Sequence, residues 1–125
     1  MNRRGFTLVE VMLATAILGV VLLSTGRFTA QFMHTTSVSQ ATTVASEVAT
    51  EQIEMISTDP SYTTLTARWA GTTTGFPGYA AMSRQTIVQR ITGVNPPRDY
   101  TVITVRVTEP TMAAPVRLTT VVGQP

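Results

Sequence analysis

At 125 residues the chain has room for one small domain, and nine basic against seven acidic side chains leave a formal charge of only +2. Charged residues make up 13% of the sequence and hydrophobic residues 43%, where about 25% charged is usual for a soluble domain. There is no cysteine, which excludes a disulfide framework and a thiolate metal site.

The sequence pI of 9.7 invites a nucleic-acid reading, but the distribution of charge argues against it. All the basic residues are arginine, and Arg3 and Arg4 account for the whole excess. The others (Arg27, Arg68, Arg84, Arg90, Arg98, Arg106, Arg117) are scattered and matched in number by carboxylates, so no basic stripe tracks a phosphate backbone. A nucleic-acid partner is left open by these arginines and draws no support from them.

From Phe6 to Leu23 the chain reads FTLVEVMLATAILGVVLL. As a helix this stretch rises about 27 Å, close to the roughly 30 Å of bilayer hydrocarbon. Arg3 and Arg4 precede it and Arg27 follows, which orients the N-terminus to the cytoplasm and sends the rest of the chain across. A cleaved secretory signal, a plain signal anchor and a soluble core helix compete for the same stretch. Leu23-Ser24-Thr25-Gly26 is a poor small-residue cleavage site, and a core helix is rarely apolar all round over such a length. Glu10 separates the readings: a carboxylate there costs on the order of 2.5–3.5 kcal/mol on insertion scales, so it is expected to have a partner or a task.

Arg3-Arg4-Gly5-Phe6-Thr7-Leu8-Val9-Glu10 resembles the prepilin processing site of type IV pilins and type II secretion pseudopilins. The resemblance implies that a membrane aspartic peptidase cuts after Gly5 and N-methylates Phe6, leaving Glu10 as the fifth residue of the mature chain. It also implies that Glu10 pairs with the terminal amine of a neighbouring subunit. Such a pair depends steeply on distance in a low dielectric, and either charge left alone is costly, so the pair enforces axial register between helices. Glycine at position 5 lets the backbone enter a protease site extended.

The chain thus divides into a leader (residues 1–5), a hydrophobic transmembrane and assembly helix (6–26), an amphipathic helix (27–58) and a small β-sheet head (59–125). Phe28, Phe32, Ala41, Val44, Ala45, Val48, Met55 and Ile56 recur at helical spacing, with Glu47, Glu51 and Glu54 opposite, and Asp59-Pro60 marks the stop. The many Ser and Thr between Thr35 and Thr50, and Gly19 and Gly26 earlier, predict local loosening of the helix. The acidic triple lacks the spacing of an EF-hand loop and reads as a solvated face. Pro60 to Gly78 reads as a loop, with Trp69, Phe76 and Tyr79 capping the core of the head.

Three strands are expected after it. Ser83 to Thr92 carries Ile87 and Ile91 on one face, and Tyr100 to Glu109 alternates Ile103, Val105 and Val107 with Thr104, Arg106 and Thr108. Val116, Leu118, Thr120 and Val122 form the last. Short connections make them antiparallel neighbours, giving an α+β fold in which a long N-terminal helix packs on an antiparallel sheet of about three strands. The pilin resemblance implies the same layout.

Catalysis finds no support: cysteine and lysine are absent, His34 is the sole histidine, and no serine sits in a nucleophile elbow, so neither an enzyme nor a cofactor or metal is expected. Among pilin-like proteins, the missing cysteine pair, the paucity of acidic residues beyond Asp99 and the Gly26-Arg27 pair where a proline is common point away from a bulk subunit. Residues 10–18, EVMLATAIL, resemble PilV-type minor pilins and the I-type minor pseudopilin of type II secretion, as does ASEVATEQIE at 45–54. That resemblance implies a minor subunit at the tip or initiating complex of a type IV pilus or pseudopilus. Its partners would be other pilin or pseudopilin subunits, the prepilin peptidase and methyltransferase, and the bacterial inner membrane, with the head in the periplasm. The competing reading is a single-pass anchor with a small adhesive, ligand-binding or DNA-binding head.

Overall fold

Thr7 and the Asp59-Pro60 step bracket a single helix, α1 (Leu8–Ser57), in a computed structural model that describes residues 5–124. The basic pair Arg3 and Arg4 and the leader up to residue 4 lie outside the described residues. The chain divides into two units, one up to Thr36 and one from Ser37 onward.

In the first unit α1 buries nothing of its apolar surface. An 18-residue window of mean hydropathy 2.2 is wholly unburied, which makes α1 the one helix among the described residues long and apolar enough to cross a membrane. Large side chains from Leu8 to Leu23 stand out on every side, from Val21 at 53% exposed to Leu8 at 79%. Each is worth about 1.5–3 kcal/mol on full burial, so the segment is tens of kcal/mol short of its preferred surroundings in water.

The expected loosening of α1 does not occur; the helix runs unbroken through Gly19, Gly26 and the hydroxyl-rich stretch. The hydroxyls of that stretch stay within the helix. Thr25, Thr29, Thr35, Thr36, Thr42, Thr43, Ser46 and Thr50 each donate to the carbonyl four residues back, at 2.8–3.0 Å. A hydroxyl satisfied inside the helix no longer competes for backbone groups elsewhere.

In the second unit α1 supplies one layer and the sheet the other. Ala41, Ala45, Ala49, Gln52 and Ile56 fall at three- and four-residue steps and are buried. After Ser57 the chain makes a 3₁₀ turn (Tyr62–Thr64) and a short helix, α2 (Leu65–Trp69). Four antiparallel strands follow in the order β1 (Gly71–Phe76), β2 (Tyr79–Val94), β3 (Pro97–Thr108) and β4 (Val116–Gly123), each beside its predecessor. Pairing is continuous from Ser83 opposite Thr108 to Val94 opposite Pro97, and from Tyr100 opposite Gly123 to Val107 opposite Val116. The α+β layout is as expected. On the inner face Met82, Ile103, Val105 and Val107 are fully buried and pack with Ala45, Ala49, Ile56, Tyr62 and Leu65. Trp69, Phe76 and Tyr79 close over this core, partly buried, as their positions predicted.

The strand count is four rather than about three. Residues 71–76 were expected in a loop because glycines and threonines there give no apolar alternation, and β1 is exposed along most of its length. Thr72 and Thr73 nonetheless pair with Gln85 and Arg84 as an edge strand. Gly75, at φ +82°, sits where the register shifts between Thr74 and Phe76, and Gly78, at φ +76°, lies in the turn to β2. Both glycines serve the hairpin rather than break it. Ile87 and Ile91 do share a face, but it is the outer one, where they are 40% and 39% exposed; Met82, Thr86 and Val88 point inward.

Candidate functional site

The residues singled out for processing and assembly lie at the start of α1. Gly5, Phe6 and Thr7 precede the helix, and Thr7 caps it: the Glu10 amide donates to the Thr7 hydroxyl at 3.3 Å and to the Thr7 carbonyl at 3.0 Å. Thr7-Leu8-Val9-Glu10 is the first half of a capping box, a signal readable in the sequence that the processing motif obscures. Thr7 is therefore a further residue at this site, and its task is to start the helix one step after Phe6.

Phe6, Glu10, Ala14 and Leu18 follow at four-residue steps and line a shallow groove on one side of α1 with Val11 and Thr15. Phe6 is 82% exposed. The Glu10 carboxylate makes no ion pair or hydrogen bond among the described residues; it stands as the one formal charge in an apolar surface from Phe6 to Gly26. A Cβ built on Gly5 meets no atom within 4 Å, so no contact among the described residues requires glycine there.

In the second unit the polar clusters are spent on the fold. Asp59, just beyond α1, accepts from the Trp69 indole at 2.7 Å, the Ser61 amide at 2.9 Å and the Arg68 guanidinium at 3.0 Å. The Ser61 amide and the Trp69 indole, with Arg68 behind them, hold its carboxyl below the usual range. Asp99 accepts from Arg90 at 2.9 and 2.6 Å and from the Tyr62 hydroxyl at 2.9 Å. Those Arg90 bonds, followed by Tyr62, lower the Asp99 pKa and raise that of Arg90, whose guanidinium also lies 5.2 Å over the Tyr62 ring. Glu109 accepts from the Thr111 amide at 2.8 Å and from the Thr111 hydroxyl, fixing the turn after β3. Burial pushes the Arg84 pKa down, with Glu51 opposing it.

Glu47, Glu51 and Glu54 occupy the exposed side of α1, and His34 is exposed. Among the described residues no three His, Asp or Glu side chains gather as metal ligands. The structure thus brings Gly5, Phe6 and Glu10 together at one helix end, while Arg3 and Arg4 lie outside the described residues.

No curated protein and no solved structure matches the chain. Residues 1–26 match the family model described as the prokaryotic N-terminal methylation motif. That motif indicates a type IV pilin-like protein processed at its leader and accords with single-pass membrane anchoring by the apolar start of α1.

Proposed function

We propose that this chain is a structural, non-catalytic minor subunit of a type IV pilus or type II secretion pseudopilus, cleaved after Gly5, N-methylated on Phe6 and drawn into the filament through Glu10. The observation that carries the reading is Glu10: one carboxylate, without a partner among the described residues, in the apolar, unburied first part of α1 one turn beyond Phe6. Such a group is an expensive feature in lipid unless something pairs with it. Cleavage after Gly5 generates the complementary charge, an amine on Phe6, at the same end of every subunit.

Gly5 supports the same reading from another side, since no contact among the described residues explains its missing side chain. Arg3 and Arg4 would hold the leader at the cytoplasmic surface until cleavage, with the head in the periplasm. The minor assignment rests on sequence features: no cysteine pair, few acidic residues near the C-terminal end, and the stretch at 10–18. A place in the tip or initiating complex follows from that assignment.

The test is intact-mass and N-terminal peptide spectrometry of the protein from its native membrane. An N-methylated Phe6 terminus is the expected result. Retention of residues 1–5 in peptidase-competent cells would overturn the proposal and favour a plain single-pass anchor.

A further inference from the structure

The outer face of the sheet carries two guanidiniums that the fold does not use. On β3 the buried Thr101, Ile103, Val105 and Val107 alternate with outward-facing residues, Arg106 among them, and Arg117 lies directly opposite Arg106 on β4. Like charges at such a cross-strand position destabilise a sheet. No carboxylate relieves them. The only acidic residue in the four strands is Asp99, which shares the inward alternation and is held by Arg90 and Tyr62. Glu109, just beyond β3, is buried and held by Thr111. Neither Arg106 nor Arg117 forms an ion pair among the described residues. The Nε of Arg106 is in addition buried with no hydrogen-bond partner, which costs the fold stability rather than adding to it.

The surroundings select what can neutralise the pair. Thr72, Gln85, Arg106 and Arg117 are successive cross-strand partners, one row across all four strands. The next row on that face, about 6.6 Å along the strands, sets Thr104 opposite Thr119, their hydroxyls 3.2 Å apart. One bond between two hydroxyls leaves one proton free, and each guanidinium is all donor and no acceptor. The patch therefore lacks both acceptors and negative charge, and a phosphate dianion supplies both. A nucleic-acid strand fits poorly. It presents a line of single charges, whereas the next outward arginine on β3, Arg98, is about 26 Å from Arg106. No aromatic side chain stands in either row for a base to stack on.

We propose that Arg106 and Arg117 form an anion site on the outer sheet face that takes a phosphate dianion, free or as the monoester of a sugar. The two guanidiniums fork onto its oxygens, with Gln85 and the Thr104–Thr119 hydroxyls at its margin. Bound phosphate turns a cross-strand repulsion into a shared contact, and rotation of the Arg106 side chain brings its Nε donor onto the ligand. The site lies in the second unit and draws nothing from the leader or from Glu10, so it goes beyond the minor-subunit reading and holds whether or not the leader is cleaved.

The test is thermal unfolding of the full-length chain in detergent micelles at mildly alkaline pH, where phosphate is a dianion. Fluorescence of Trp69, the sole tryptophan, reports it, because that ring closes over the core of the head. Inorganic phosphate replaces chloride at constant ionic strength, so general screening is held fixed. The melting point should rise and saturate, by about 6–11 °C at ten times the dissociation constant. Arg106→Gln and Arg117→Gln should each abolish the rise. In chloride Arg117→Gln should melt no lower than the natural chain, since it removes a repulsion, whereas a pair that served the fold would melt lower when broken. Arg117→Lys should keep part of the rise, and Arg98→Gln, at the far end of the same face, all of it. A response to glucose 6-phosphate at lower concentration than to phosphate assigns the ligand to a sugar, and an equal response assigns it to free phosphate. No rise in phosphate, a rise that survives in both glutamine variants, or an Arg117→Gln chain that melts well below the natural one in chloride would overturn the site. So would a response to a short thymidine oligonucleotide, whose phosphodiesters are monoanions, without one to phosphate.

Discussion

Moving the Glu10 carboxylate tests the register argument more sharply than removing it. In the proposed filament the carboxylate and a neighbour's Phe6 amine are both out of water, and stripping one partner from a buried pair costs about 3–5 kcal/mol. At about 1.4 kcal/mol per factor of ten, Glu10→Ala should lower incorporation by about two to three and a half orders of magnitude. Ala14 lies on the same side of α1 one turn further on. A variant with Glu10→Ala and Ala14→Glu keeps the charge but displaces it by about 6 Å along the axis. Taking an effective dielectric near 20, the attraction falls from about 4 kcal/mol at 4 Å to under 2 kcal/mol at 10 Å, so the shifted carboxylate should recover only a minor part of the loss. The assay is the fraction of chain in sheared filaments, with N-terminal mass confirming that each variant is still processed at Gly5. Equal assembly of the shifted variant and the natural chain would refute the register argument, and so would normal assembly of Glu10→Ala.

Gly5→Val should block leader cleavage, read by N-terminal mass, while leaving the circular dichroism of the chain unchanged, because a side chain there meets nothing within 4 Å. Thr7→Ala removes the cap and should cost about 1 kcal/mol at the helix start; faster hydrogen exchange of the Glu10 amide would report it, with Thr7→Ser restoring protection. Ala45 is fully buried between α1 and the sheet; Ala45→Leu should cost about 1–3 kcal/mol by overpacking, a melting point roughly 5–20 °C lower for a unit of this size, while Thr43→Leu on the exposed side stays within about 0.5 kcal/mol. Asp59 and Asp99 both sit below their ordinary value of 3.8, so the stability they contribute is full above about pH 4 and is lost as the pH falls further. In acid titrations followed by circular dichroism, Asp59→Asn and Asp99→Asn should therefore be less stable than the natural chain at neutral pH and converge on it in acid.

The legible parts of this chain are those whose signals are local and repeated. The helix was readable because its apolar spacing and the Asp59-Pro60 stop are written in neighbouring residues, and β3 because Ile103, Val105 and Val107 alternate without interruption. What the hydroxyls of α1 would do was not, since a threonine's propensity says nothing of the carbonyl four residues back that absorbs its donor. The edge strand β1 escaped because its threonines face solvent on both sides, so burial leaves no period in the sequence. Ile87 and Ile91 mark the converse: apolar residues on the outer face carry no sign of which side the helix will cover. At the proposed processing site Gly5, Phe6 and Glu10 stood out at once, while Thr7 was hidden inside the string that made them conspicuous.

The two aspartates of the head show how a small cysteine-free unit closes its longest irregular connection. Between Ser57 and Gly71 the chain has only a 3₁₀ turn and a five-residue helix, too short to hold their shape alone. Asp59 ties the start of that connection to its end, reaching Trp69 ten residues on. Asp99 ties its middle to the sheet, since Tyr62 lies 37 residues away in sequence and Arg90 on the adjacent strand grips the same carboxylate. Each carboxylate accepts three hydrogen bonds, so each fixes geometry that packing of Tyr62, Leu65 and Trp69 would otherwise leave loosely defined. A disulfide would restrain the unfolded chain as well, whereas these ties act only once the fold has formed and only while the carboxyls are ionised. The head's cohesion is thereby coupled to pH through the connection, and the alanine-lined contact between α1 and the sheet carries no such dependence.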